Sequence, residues 1–224
     1  MIPLRDSTPG NSFPLVTITI ILVNLVIFYF TAHLDEEGMS HLFYLFGLVP
    51  GYYLEYQTVP LDYLPFLSSM FLHGSWMHVI SNMWILWLFG DNVEDHMGKG
   101  KFLLFYLICG FLAALTHFFI YPHSTVPVVG ASGAVAGIMG AYFLMFRHAT
   151  VLTFIPPFFL VNIPAWIYLG VWIITQFWGG AVDLFVAASS EQIAFWAHVG
   201  GFAAGALLFR FFLNPPPPNP QYYD

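Results

Sequence analysis

Charge is what this chain lacks, and where the charge falls constrains the fold more than any other feature. Five basic and twelve acidic residues are spread over 224 positions. No charged residue lies between Asp6 and Asp35, Asp62 and Asp91, Lys101 and Arg147, Arg147 and Asp183, or Glu191 and Arg210. Charged side chains make up 8% of the chain and hydrophobic ones 58%, whereas ordinary soluble domains carry about 25% charged residues. A water-facing surface cannot be assembled from so few charges, so a soluble enzyme does not fit. The same hydrophobicity excludes disorder. Five Lys and Arg are too few for a basic footprint, so no nucleic-acid partner is expected. The single cysteine, Cys109, lies in an apolar run, so there is no disulfide framework to read. The solvent that suits this composition is the lipid bilayer.

A helix crossing the hydrocarbon core needs about 20 mostly apolar residues. The gap from Lys101 to Arg147 is long enough for two crossings, divided by the turn-like run Tyr121-Pro122-His123-Ser124-Thr125-Val126-Pro127. The reading is an all-α polytopic membrane protein with six transmembrane helices, at roughly 13–33, 75–94, 101–121, 131–147, 158–179 and 192–212. Residues 1–12 form an N-terminal tail and 213–224 a C-terminal tail, in which Pro215 to Pro218 stop the last helix. The first span is too apolar for too long to be a signal peptide, and no small-residue cleavage site follows it.

Six spans put both termini on one side. Arg5, Lys99, Lys101, Arg147 and Arg210 all fall on the inside if that side is cytoplasmic, and all outside if it is not. Cytoplasmic termini are therefore expected. The loop at about 34–74 then lies outside. It is acidic at Asp35, Glu36 and Glu37, then rich in Phe, Tyr and Leu, as suits the membrane interface.

Polar groups within spans are costly and therefore informative. Ser132, in Gly130-Ala131-Ser132-Gly133, opens a short fourth span. Arg147 fixes the inside end of that span, so its outer end starts below the membrane surface. A submerged helix N-terminus presents free N–H groups. Helix capping by Ser132 with small-residue packing is the competing reading. His198 lies about six residues into span six, roughly 9 Å down at 1.5 Å per residue, a depth that Ser132 can share. Small residues line span six at Ala194, Ala197, Gly201 and Gly205, and span four at Gly133, Ala136, Gly137 and Gly140. Such stripes let membrane helices approach closely.

His78 and Asn82 are four apart on one face of span two and could donate hydrogen bonds to a developing oxyanion. Interhelical glue is the alternative for both. His73 and His78 are badly spaced for a metal, and no His-Glu-x-x-His occurs, so no metal site is expected. Asn24, Asn162, Thr175 and Gln176 read as structural, with Pro164 kinking span five. A Ser and a His at one depth, with His and Asn donors nearby, is the inventory of acyl transfer. With no intramembrane carboxylate for a third member, the mechanism would be a dyad.

These residues resemble the rhomboid intramembrane serine proteases. The matching pieces are His73-x4-His78-x3-Asn82-Met83 and Phe89-Gly90-Asp91-Asn92-Val93-Glu94-Asp95. Gly130-Ala131-Ser132-Gly133-Ala134-Val135-Ala136-Gly137 and Ala197-His198-Val199-Gly200-Gly201 complete them, in the family's order across about 13–212. The resemblance implies Ser132 as nucleophile and His198 as general base. It implies an oxyanion hole of His78, Asn82 and the Ser132 backbone N–H. Gly130, Gly133, Gly201 and His73 would support them. It implies cleavage of other proteins' transmembrane segments without metal, ATP or other cofactor. Substrates would enter beside span five, past Phe177, Trp178 and the loop from Asp183 to Glu191.

The chain departs from the family pattern in two places. The Trp-Arg pair that many members carry in the first outside loop is missing, with Leu64-Pro65 near its expected position. Ala136 stands where some members stack an aromatic on the base, so the packing of His198 must differ. The chain looks like a minimal prokaryotic member in the cell (inner) membrane, its site open to the outside. Two other readings compete: a non-catalytic rhomboid-like protein that binds membrane clients, and a small transporter or channel. The transporter lacks an internal repeat and an intramembrane charge.

Overall fold

A computed structural model describes residues 1–186 and 194–215. The charge-free stretches fold as helices α1 (Leu15–Thr31), α5 (Trp76–Met97), α6 (Lys99–Ile120), α7 (Ser132–Met145), α8 (Ala165–Val186) and α9 (Phe195–Phe212). Among the described residues, α6, α8 and α9 are long and apolar enough to cross a membrane. α1 and α7 are shorter apolar helices. α5 is long, but His78, Ser81, Asn82, Asp91, Asn92, Glu94 and Asp95 dilute its apolar character. The expected count of six spans thus meets three helices that satisfy length and composition together.

α7 is the core of the bundle. Every residue from Gly133 to Tyr142 is buried, with α5, α6 and α9 packed around it. The small stripes are what allow this. A Cβ on Gly201 or Gly205 would overlap the carbonyl oxygen of Gly133 or Gly137, and one on Gly140 would overlap that of Phe202. α7 and α9 therefore meet backbone to backbone.

The chain is not all-α. Strands β1 (Ile2–Asp6), β2 (Thr150–Ile155) and β3 (Phe159–Pro164) form an antiparallel sheet in that order. Span five was expected from 158, but residues 159–164 pair with β2, Asn162 lying opposite Leu152. Pro164 closes the strand and α8 begins at Ala165, so no proline kink is involved. Apart from Asn162 and Pro164, the residues of the two strands around Pro156-Pro157 are Thr, Val, Ile, Leu and Phe, a composition that favours strands as readily as a buried helix. Part of the expected N-terminal tail is β1, with Ile2 opposite Phe154 and Asp6 opposite Val151.

The sheet marks one end of the bundle. There Asp6 accepts hydrogen bonds from Tyr142 of α7 (2.5 Å) and Asn92 of α5 (3.0 Å). Glu94 is buried and accepts from Val16 N–H, Thr17 N–H and the Thr17 hydroxyl at 2.8–3.0 Å. α1 has Pro14 at its N-cap and no side-chain cap of its own. Glu94 therefore satisfies amides that would otherwise be orphaned, and sets a carboxylate at the favourable pole of the helix.

Opposite the sheet, the long loop is folded rather than slack. It contains α2 (Glu36–Phe46), α3 (Tyr52–Glu55), α4 (Pro65–Ser68) and two 3-10 turns. Tyr53 and Phe66 pack on Phe118 of α6 at 5.6 Å between ring centroids. Burial, then the nearby Asp62, pushes the Tyr53 phenol up to about 12, so it stays a donor, here to the Asp62 carbonyl at 2.5 Å. These aromatic contacts anchor the loop where the expected Trp-Arg pair is missing.

Candidate functional site

The site lies at the end opposite the sheet, at the N-termini of α5, α7 and α9. Ser132 is the first residue of α7, which has only 14 residues. At 1.5 Å per residue the helix is about 21 Å long, short of a hydrocarbon core of about 30 Å. The N-cap is Ala131, with no side-chain capping bond. The Ser132 hydroxyl instead faces His198, its Oγ 2.7 Å from Nε2. Helix capping is thus not what Ser132 does here. The Gly201 and Gly205 contacts with α7 set the helix separation that brings the two side chains together.

Two strands of chain hold the approach to Ser132. Leu48 and Val128 exchange backbone hydrogen bonds (3.0 and 2.8 Å), and Gly130 N–H donates to the Ser69 carbonyl at 2.9 Å. The long loop is therefore the brace for the segment that leads into α7. Gly130 has φ +130°, and a Cβ there would sit 2.7 Å from His78 Nε2. Glycine is required on both counts, conformation and space.

His73 is fully buried and accepts at Nε2 from the Asn82 amide (3.1 Å) and from Ala131 N–H (3.5 Å). Burial, then the neighbouring His78, pushes the His73 imidazole down to about 3, which keeps it a neutral acceptor. Its ring stands edge-on to His78 with centroids 4.9 Å apart. His73 thus ties α5 to the residue preceding Ser132. His78, Ser81, Asn82, Val129, Ser132 and His198 line one cavity of about 430 Å³. All the sequence-predicted residues meet here. Ser132, His198, His78 and Asn82 face the cavity, Gly130 and His73 pack behind them, and Gly133 and Gly201 close the helix contacts.

Sequence reasoning missed two residues of α8. Gln176 Oε1 is 2.8 Å from His198 Nδ1, although Gln176 was read as structural. Trp172 lies 5.9 Å from the His198 ring at 37° and supplies the aromatic neighbour that Ala136 cannot. The available signal was their spacing of four, which puts Trp172 and Gln176 on one helical face. Of the expected entry region, Phe177 packs edge-on against Trp196 at 5.4 Å, and Asp183 accepts from Tyr121 at 2.6 Å. Glu191 and the C-terminal residues 216–224 lie outside the described residues.

Chemically, the arrangement pairs a hydroxyl with an imidazole nitrogen beside a cavity edged by further N–H donors. Fold and site together define a helical membrane protein with serine and histidine joined across two close-packed helices. The model of the Rhomboid domain matches residues 60–215, and the chain belongs to the rhomboid family. Rhomboid-like protein 11, chloroplastic, of Arabidopsis thaliana is 34% identical over 119 residues, 53% of this chain and 38% of that protein. Rhomboid protein 1, mitochondrial, of Saccharomyces cerevisiae is 29% identical over 161 residues, 68% of this chain and 44% of that protein. Rhomboid protease GluP of Bacillus subtilis is 39% identical over 75 residues, 34% of this chain and 14% of that protein. The matches span less than half the length of each of these relatives.

Proposed function

We propose that this protein is an intramembrane serine endopeptidase that cleaves transmembrane segments of other membrane proteins. The observation that carries the reading is the 2.7 Å approach of Ser132 Oγ to His198 Nε2 at the cavity shared with His78 and Asn82. His198 takes the Ser132 proton as Oγ bonds to the scissile carbonyl carbon. The carbonyl oxygen gains the charge and is met by His78, Asn82 and the Ser132 N–H. The C–N bond then breaks, and His198 returns its proton to the leaving amine. Water repeats the sequence on the acyl-enzyme and frees Ser132. The cavity of about 430 Å³ gives water and substrate backbone room beside the pair. The family membership and the protease among its relatives support the reaction class.

The proposed topology has six spans, both termini cytoplasmic and the site facing outside, in a prokaryotic cell membrane. Arg5, Lys99, Lys101, Arg147 and Arg210 are carried on β1, the start of α6, the residues after α7 and the last turn of α9, which supports a single basic side. Substrate would pass α8 near Phe177 and Trp178. A fluorophosphonate probe tests the chemistry. Labelling is expected at Ser132, lost in Ser132→Ala and in His198→Ala. Absence of labelling across the pH range would favour a client-binding protein without catalysis.

A further inference from the structure

The base of the reacting pair has a second neighbour, Gln176, whose amide is oriented by its own hydrogen bonds. The Thr175 hydroxyl donates to the Trp172 carbonyl at 2.6 Å. With its proton committed, Thr175 Oγ1 can only accept, and it accepts a long bond (3.4 Å) from Gln176 Nε2. The amide nitrogen of Gln176 is therefore turned toward Thr175, which leaves Oε1 toward His198 at 2.8 Å from Nδ1. A carboxamide oxygen has no proton to give, so the proton of this bond sits on His198 Nδ1. The lone pair is then on Nε2, which faces Ser132 Oγ.

We propose that Gln176 is a positioning residue, which selects the Nδ1–H tautomer of His198 and holds its ring toward Ser132. The inference rests on Ser132 and His198 being the reacting pair, and it turns the expected dyad into an uncharged three-residue chain, Ser132–His198–Gln176. A neutral amide suits this depth. A carboxylate in the same role would be a permanent charge inside the bilayer, which is costly. The amide oxygen fixes the tautomer by hydrogen bonding and stabilises the imidazolium that forms in the reaction through its dipole alone. Trp172, one turn earlier on the same face, limits the tilt of the ring.

Two measurements test this. In the wild-type protein, histidine nitrogen NMR reads the tautomer directly, with the His198 signals identified as those missing from His198→Gln. The expected result is a protonated Nδ1 and an unprotonated Nε2; a protonated Nε2 would overturn the proposal. Second, Gln176→Met keeps the length of the side chain and removes the acceptor, whereas Gln176→Glu keeps an acceptor oxygen. Loss of a hydrogen bond to a group that becomes charged predicts a kcat about 10- to 100-fold lower in Gln176→Met, with KM unchanged within about twofold. Gln176→Glu should recover most of that loss. A Gln176→Met variant with wild-type kcat would refute the role. Cleavage retained by Ser132→Ala would instead refute the reacting pair and leave the tautomer result standing.

Discussion

Ser132, His198, His78 and Asn82 stand out in the sequence because an apolar chain leaves few polar residues to choose among. Depth counting along two helices then brings the first two to one level, and their Oγ and Nε2 are 2.7 Å apart. Gly130 leaves no room for a side chain in this geometry. Its φ of +130° and the 2.7 Å between a would-be Cβ and His78 Nε2 both oppose a side chain. Gly130→Ala should cost about 1–3 kcal/mol in backbone strain alone and push His78 out of the cavity. Fluorophosphonate labelling should slow at least tenfold; an unchanged rate would contradict the packing. Gln176 was not legible in the same way. A glutamine in a span has the same appearance whether it bonds a neighbouring helix or a catalytic base. Only the rotation of α8 against α9 decides between them.

At the scale of elements, charge gaps and apolar length located the helices, while small-residue spacing identified the α7–α9 contact. The sheet escaped. Apart from Asn162, residues 159–164 are apolar and run directly into α8, so hydropathy alone merges them with the helix. Their neighbour β2 is joined at its other edge by β1, some 150 positions earlier in the chain, and no local pattern reports that pairing. The glycine contact offers a test. In Gly205→Val the new side chain would meet the Gly137 carbonyl and drive α9 away from α7. Overpacking of this kind costs typically 1–3 kcal/mol, so the melting temperature should fall and activity should fall further, because His198 moves with α9. A variant that melts lower yet cleaves at the wild-type rate would separate the helix contact from the site.

Across the whole molecule, the two ends of the bundle divide the labour. One end carries the cavity, braced by the long loop through Leu48, Ser69 and the aromatic cluster around Phe66. The other gathers the N-terminal strand and the acidic stretch of α5, where Glu94 caps α1 and Asp6 joins α5 to α7. The short motif from Phe89 to Asp95 thus has a structural task far from the cavity. Tyr142→Phe removes the hydroxyl that bonds Asp6 and Thr8. It should destabilise the protein by about 1–3 kcal/mol, seen as a lower melting temperature with Ser132 labelling per folded molecule unchanged. A loss of labelling without a change in melting would contradict that division. In the proposed function, a chain nearly devoid of charge performs hydrolysis within the bilayer through Ser132. The most direct measurement is cleavage of a panel of single-span substrates in proteoliposomes by the wild type and by Ser132→Ala. The wild type should cut at least one substrate within its transmembrane segment while Ser132→Ala, equally folded, cuts none. Equal cleavage by the two proteins would contradict Ser132 as the nucleophile.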